Sequence, residues 1–210
     1  MHVISIVSQK GGAGKTTLTT NLAVAALKSG AKVAIVDLDP QATAANWGDR
    51  RQAETPVIVS AQAARLPQLL KQLDPRTRWV FIDTPPAISN TTMAAVRVAD
   101  GILVPCRAAI FDLDTLGATL ELIQLGRKIA TVVLNAVPHR GQDVAEASAA
   151  IAGYGIAIAP VAVGHRATFQ HAATVGLGAL EYEPNSKAAR EIGALFDWLR
   201  TAFREDRSDA

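Results

Sequence analysis

Apolar and polar positions follow two rhythms along the chain. Short apolar-rich runs occur at 3–7, 32–36, 57–59, 79–82, 101–104 and 130–134. Runs of this length without a polar face read as strands buried on both sides. Between them lie longer stretches whose apolar positions recur three and four apart. Thr16–Ser29, Ala63–Gln72, Thr91–Val98, Leu113–Leu125 and Ala145–Tyr154 therefore read as helices. In the first of these Leu18, Leu22, Ala25, Ala26 and Leu27 share a face, and Gly30 stops the helix. A short strand over Ala157–Val161 and a closing helix over Ser186–Phe203 complete the series. The closing helix carries Leu195, Trp198, Leu199 and Phe203 on its apolar side. Doubly buried strands alternating with helices predict an α/β fold of three layers, a mostly parallel twisted sheet with helices on both faces. Neither an internal repeat nor a linker interrupts the pattern. Residues 1–210 are expected to form a single domain, with a disordered tail over 204–210.

Composition narrows the function classes. A formal net charge of +2 excludes a polybasic nucleic-acid coat, while leaving room for a local basic patch. The single cysteine, Cys106, excludes an internal disulfide and a cysteine metal cluster, and its place at an apolar strand end makes it a small core residue. The first residues lack the basic start and long apolar run of a signal peptide, and no stretch approaches the ~18 apolar residues of a membrane span. The segment 200–210 is mixed in charge and poor in large apolar residues, a weak membrane-binding helix. A reducing cytoplasm is the expected compartment.

The strongest chemical signal is Lys10-Gly11-Gly12-Ala13-Gly14-Lys15-Thr16-Thr17, placed after a strand and before a helix. Glycines let successive backbone N–H groups turn toward phosphate oxygens, and the helix that follows adds its positive dipole end. In such a loop Lys15 reaches the β- and γ-phosphates and the Thr16 hydroxyl ligates Mg²⁺. Two further strands end in acids at the same edge. One is Val33-Ala34-Ile35-Val36-Asp37-Leu38-Asp39-Pro40-Gln41 and the other Trp79-Val80-Phe81-Ile82-Asp83-Thr84-Pro85-Pro86. Carboxyl ends of buried parallel strands are where ligands bind. Taken singly, a carboxylate there also serves as a helix cap, and Asn135, after 130–134, also serves as a turn former.

The extra lysine, Lys10, makes the loop resemble that of the ParA/MinD family of deviant Walker ATPases, whose motif reads Lys-Gly-Gly-x-Gly-Lys-Thr-Thr. The likeness spans Val3 to about Phe203 and implies the P-loop NTPase fold. It also implies roles. Residues Gly11, Gly12, Ala13, Gly14, Lys15, Thr16 and Thr17 bind the nucleotide phosphates. Lys10 crosses a dimer interface to the partner's nucleotide and acts with Lys15 and Asp39 in catalysis. Asp39 activates the attacking water, and Thr16, Asp37 and Asp83 serve Mg²⁺, partly through water. Thr84 senses the γ-phosphate. Asn135 contacts the adenine, and Pro160–Val163 line the base pocket. The single cysteine, the weak C-terminal helix and the short N-terminus point to the small ParA type, similar to ParF or Soj. The resemblance then implies a homodimer in the ATP state that binds nonspecific DNA, through Arg166, Lys187 and Arg190. A ParB-like or other adaptor would stimulate hydrolysis on the nucleoid, without a membrane. The rival readings are a membrane-cycling switch of the MinD kind and a metabolic P-loop ATPase.

Overall fold

The computed structural model describes residues 1–87, 89–108, 115–138 and 143–205. Strands β1 (His2–Ile6), β2 (Lys32–Asp37), β3 (Val57–Ser60), β4 (Thr77–Asp83), β5 (Gly101–Cys106), β6 (Ala130–Leu134) and β7 (Ala157–Ile158) form one sheet in the order β3-β2-β4-β1-β5-β6-β7. Every pairing between these strands is parallel. The expectation of a mostly parallel sheet therefore holds in its strongest form.

Side-chain alternation assigns each central strand to two helical layers. Val33, Ile35, Trp79 and Phe81 point to one face. There they meet Leu18 and Leu22 of α1 (Lys15–Lys28), Ala44 and Trp47 of α2 (Thr43–Asp49), and Ile192, Leu195, Phe196 and Leu199 of α9 (Lys187–Glu205). Ala34, Val36, Val80 and Ile82 point to the other face, against Leu66 of α3 (Leu66–Gln72) and Ala95 of α4 (Asn90–Val98). On the same side, Ile102, Val104 and Val132 pack with Leu116, Leu120 and Ile123 of α5 (Leu116–Leu125) and with Ala147 and Ile151 of α6 (Asp143–Ala152).

The strand readings hold to within two or three residues. The exception is the stretch 157–161, where only Ala157–Ile158 pair as β7. Pro160 has no N–H for a ladder, and the chain rejoins β6's neighbourhood through Ala159 and Val163, whose N–H groups donate to Val132 and Leu134. The stretch 63–72 begins as a 3₁₀ turn over Ala63–Arg65 before α3. In the helix read over Leu113–Leu125, positions 113 and 114 lie outside the described residues. Among the described residues three helices went unread: α2, α7 (Ala167–Thr174) and α8 (Ala179–Tyr182). Of the tail read over 204–210, residues 204 and 205 belong to α9, and 206–210 lie outside the described residues.

The segment weighed for a membrane role, 200–210, overlaps only the last turns of α9, and 206–210 lie outside the described residues. In α9, Ile192, Leu195, Phe196 and Leu199 are buried against α1 and the sheet, Trp198 and Phe203 are partly buried, and Ser186 caps its start by accepting from the Ala189 N–H. No helix among the described residues is long and apolar enough to cross a membrane. Leu195 is fully buried in this contact. Leu195→Ala is expected to lower stability by about 2–5 kcal/mol in urea unfolding, against a change within about 0.5 kcal/mol for the exposed Lys71→Ala.

Candidate phosphate-binding site

β1 lies between β4 and β5, so the loop that leaves its carboxyl end is flanked by the segments leaving both neighbours. The parallel register sets Ile6, Asp83 and Asp37 level across β1, β4 and β2. Asp83 is completely buried. Its carboxylate accepts from the Thr16 hydroxyl at 2.6 Å and, more weakly, from Thr19 at 3.5 Å. Burial pushes this carboxyl up to about 7. The Thr16 bond works against that shift and the charge of Asp37 adds to it.

Lys15 begins α1 and is itself buried. Its ammonium donates to the Lys10 carbonyl at 3.2 Å. Burial lowers its pKa, and the charges of Asp83 and Asp39 counter this. The Asp37 carboxyl is raised, chiefly by burial. Its two oxygens accept from the N–H groups of Asp39 and Ala45, each at 3.0 Å, which fixes the turn from β2 into α2. Asp39, half exposed, accepts from the Gln41 N–H at 3.0 Å. The Thr84 hydroxyl is buried and donates to the Ile6 carbonyl at 2.7 Å, so it ties β4 to β1.

The loop's shape is held from the far side of the sheet. Asn135, buried at the end of β6, donates its amide N–H to the Ala13 carbonyl at 2.7 Å. Gly14 stands at φ 94°, and a Cβ there would lie 2.1 Å from the Asn135 amide nitrogen. Both the backbone angle and the space therefore demand glycine. Lys10, half-buried, sits near the buried thiol of Cys106, which burial pushes up to about 11 and Lys10 draws back. On the same side the Arg107 guanidinium donates to the Gly12 carbonyl.

Lys10 through Thr17, Asp37, Asp39, Asp83, Thr84 and Asn135 are thus gathered at one edge of the sheet. Two cavities flank them. One, of about 460 Å³, is lined by Asp37, Asp39, Pro40, Ser60, Ala61 and Thr91. The other, of about 260 Å³, is bounded by Val137, Pro138, Ala162, Gly164, Arg166 and Lys187, and so includes part of the 160–163 segment. Arg166 and Lys187 meet at this second cavity, but Arg166 is paired with Glu191 at 2.6 Å. Arg190 is exposed and bonds instead to the Asn185 carbonyl.

Two features escaped the sequence reading. Arg107 follows an apolar strand with no motif around it. Arg51, whose side chain is almost wholly buried, forks onto Glu181, donates to the Gly176 carbonyl and lies over the Trp47 ring. No signal short of the fold brings these partners together.

The donor set suits a divalent cation of the magnesium kind. No group of three or more acidic, His or Cys side chains among the described residues forms a metal cage. A hydroxyl beside a buried carboxylate, with room for waters and phosphate oxygens, is what Mg²⁺ takes in place of an all-protein cage.

A family model described as "CobQ/CobB/MinD/ParA nucleotide binding domain" matches residues 4–170. The maintenance of carboxysome distribution protein A of Gloeobacter kilaueensis is 31% identical over 98% of this chain and 94% of its own length. The cell division ATPase MinD of Pyrococcus furiosus superposes with a TM-score of 0.77 at 26% identity, covering 96% of this chain and 99% of that one. The septum site-determining protein MinD of Pyrococcus horikoshii, complexed with Mg-ADP, gives 0.76 at 24%, covering 94% and 95%, a likeness of fold.

The geometry makes two predictions. Gly14→Ala is expected to cost about 1–3 kcal/mol in thermal unfolding. Adding Asn135→Ala should not restore the parent stability, because it removes the clash but leaves the strained angle and an unmade bond at the Ala13 carbonyl. The second concerns pH. Folding raises the Asp83 carboxyl, so the native chain holds more protons than the unfolded one from the ordinary carboxylate range up to about pH 7. Stability in chelator is therefore expected to fall as pH rises from about 4 to about 7, and Asp83→Asn should flatten that slope.

Proposed function

The chain belongs to the CobQ/CobB/MinD/ParA family of nucleotide-binding domains, and we propose that it is a single-domain, ATP-driven positioning switch. The observation that carries this reading is the loop from Lys10 to Thr17, set over the buried Thr16–Asp83 pair at the carboxyl edge of a parallel sheet. The reaction is ATP plus water to ADP plus phosphate. The backbone N–H groups of Gly11 to Thr17 and the amino end of α1 hold the phosphates, and Lys15 exchanges the Lys10 carbonyl for the β- and γ-phosphates. Thr16 and Asp83 would hold Mg²⁺, with Asp37 supporting its shell. When bound, the ion neutralises charge on the phosphate oxygens. Asp39 orients the attacking water. Thr84 trades the Ile6 carbonyl for the γ-phosphate, which makes the strand end a sensor. Asn135, which donates to the Ala13 carbonyl of the loop, contacts the adenine, and the cavity beside Ala162 takes the base.

In the ATP state two copies close face to face, and Lys10 of each reaches the partner's nucleotide. The dimer then binds nonspecific DNA on the nucleoid of the cytoplasm. An adaptor stimulates hydrolysis and releases it. The Gloeobacter relative matches nearly the whole chain and is named for carboxysome distribution, so a large protein assembly is favoured over a plasmid as cargo. Lys187 and Arg190 are the exposed candidates for phosphate contacts. Arg166 joins them only if it leaves Glu191. The membrane alternative is disfavoured by the segment 200–210, which is mixed in charge and poor in large apolar residues.

The test is DNA binding with ATP, with ADP, and with ATP for Lys10→Ala, at low and moderate salt. Binding is expected only with ATP, weakened by salt and lost in the variant. ATP-dependent dimers that bind no DNA at either salt would sink the nucleoid half of the reading and leave the switch.

A further inference from the structure

Arg107 is the first residue after β5, and its exposed guanidinium donates to the Gly12 carbonyl. β5 flanks β1 on the side away from β4. The bond therefore clasps the loop from one flank. Pro86, after β4, closes the other, 3.9 Å from where a Cβ on Gly11 would stand. Lys15 holds the Lys10 carbonyl in the same manner. Two cations thus sit on one loop, each on a backbone carbonyl, two residues apart.

A neutral carbonyl is a poor final partner for a guanidinium. Among the described residues the Arg107 side chain has this one hydrogen bond, to Gly12, and it is charge-assisted from one side only. A phosphate oxygen pair carries charge and matches the planar fork with two bonds at once. Arg107 is exposed, so a change of partner disturbs little packing. Position along the loop points to the terminal phosphate. In the nucleotide-switch reading Lys15, now on the Lys10 carbonyl, reaches the β- and γ-phosphates, and Arg107 sits on the same loop two residues along, within reach of the same end of the polyphosphate.

We propose that Arg107 is a phosphate-reading residue supplied in cis, which turns from the Gly12 carbonyl to the terminal phosphate of a bound nucleoside triphosphate. The chain then distinguishes triphosphate from diphosphate within one protomer, before any partner's Lys10 arrives. This deepens the nucleotide-switch reading and rests on it.

The experiment is calorimetric titration of the full chain with a nonhydrolysable ATP analogue and with ADP, both with Mg²⁺, for the parent, Arg107→Ala and Arg107→Lys. Thermal melting of each checks the fold. Arg107→Ala is expected to weaken the triphosphate about tenfold or more and ADP less than about twofold, with Arg107→Lys restoring part of the loss. A parallel loss for both nucleotides would mean that Arg107 only fastens the loop, and would overturn the proposal. So would unchanged affinity for both. A parent chain that binds neither nucleotide would overturn the switch reading itself, and this inference with it. That result is distinct from the other two because it appears before any substitution is made.

Discussion

A carboxylate with no exposure to water lies under the phosphate loop, and the edge of the sheet is organised around making that tolerable. Asp83 is level with Asp37 through the strand register, and Asp39 is close enough to bear on both Asp83 and Lys15. Burial raises the two buried acids, Asp37 and Asp83, and depresses Lys15. All three shifts oppose the charged forms, as desolvation requires. Thr16 and Lys15 ease the cluster without neutralising three acids. A divalent cation and a polyphosphate arriving together remove both strains at once. The cation answers the carboxylates, and the anion answers the lysine and the loop N–H groups. The site is therefore poised for a paired ligand rather than for either charge alone.

The rest of the fold supplies the walls that keep this edge dry. Alternation along β2 and β4 sends residues to two separate apolar layers, so the acids at the strand ends emerge from a sheet sealed on both faces. Helix α9 completes one layer. Its apolar stripe packs on Leu18, Leu22 and the strands beneath them, with Trp198 and Phe203 partly covered at the margin.

Much of this was legible in the sequence because the central strands are continuously apolar and end in acids, and because the loop motif dictates its own surroundings. The unread helices share a physical reason. α2 buries only Ala44 and Trp47, α7 only Ala172, and α8 spans four residues, so none offers a repeating apolar stripe. What orders them is tertiary. The Trp47 indole donates to the Leu177 carbonyl, Asn21 accepts from the Ala179 N–H, and Arg51 clasps Glu181. Arg107 was invisible for a different reason. Its meaning comes from a neighbour 95 positions earlier in the chain. The pairing of Arg166 with Glu191 likewise could not be read from a list of basic residues.

The amide of Asn135 fits into the space that Gly14 leaves, like a tooth in a socket, and 122 positions separate Asn135 from its bonding partner Ala13. That ties the shape of the loop to a residue synthesised well after it. α1 can form early from local contacts, but β1 has only the distant β4 and β5 to pair with, and the socket stays unfilled until β6 has docked on β5. A chain emerging from the ribosome carries the whole motif long before it carries the tooth. Competence to hold an anion is thereby tied to completion of the sheet. A half-made chain has the letters of the motif without its grip.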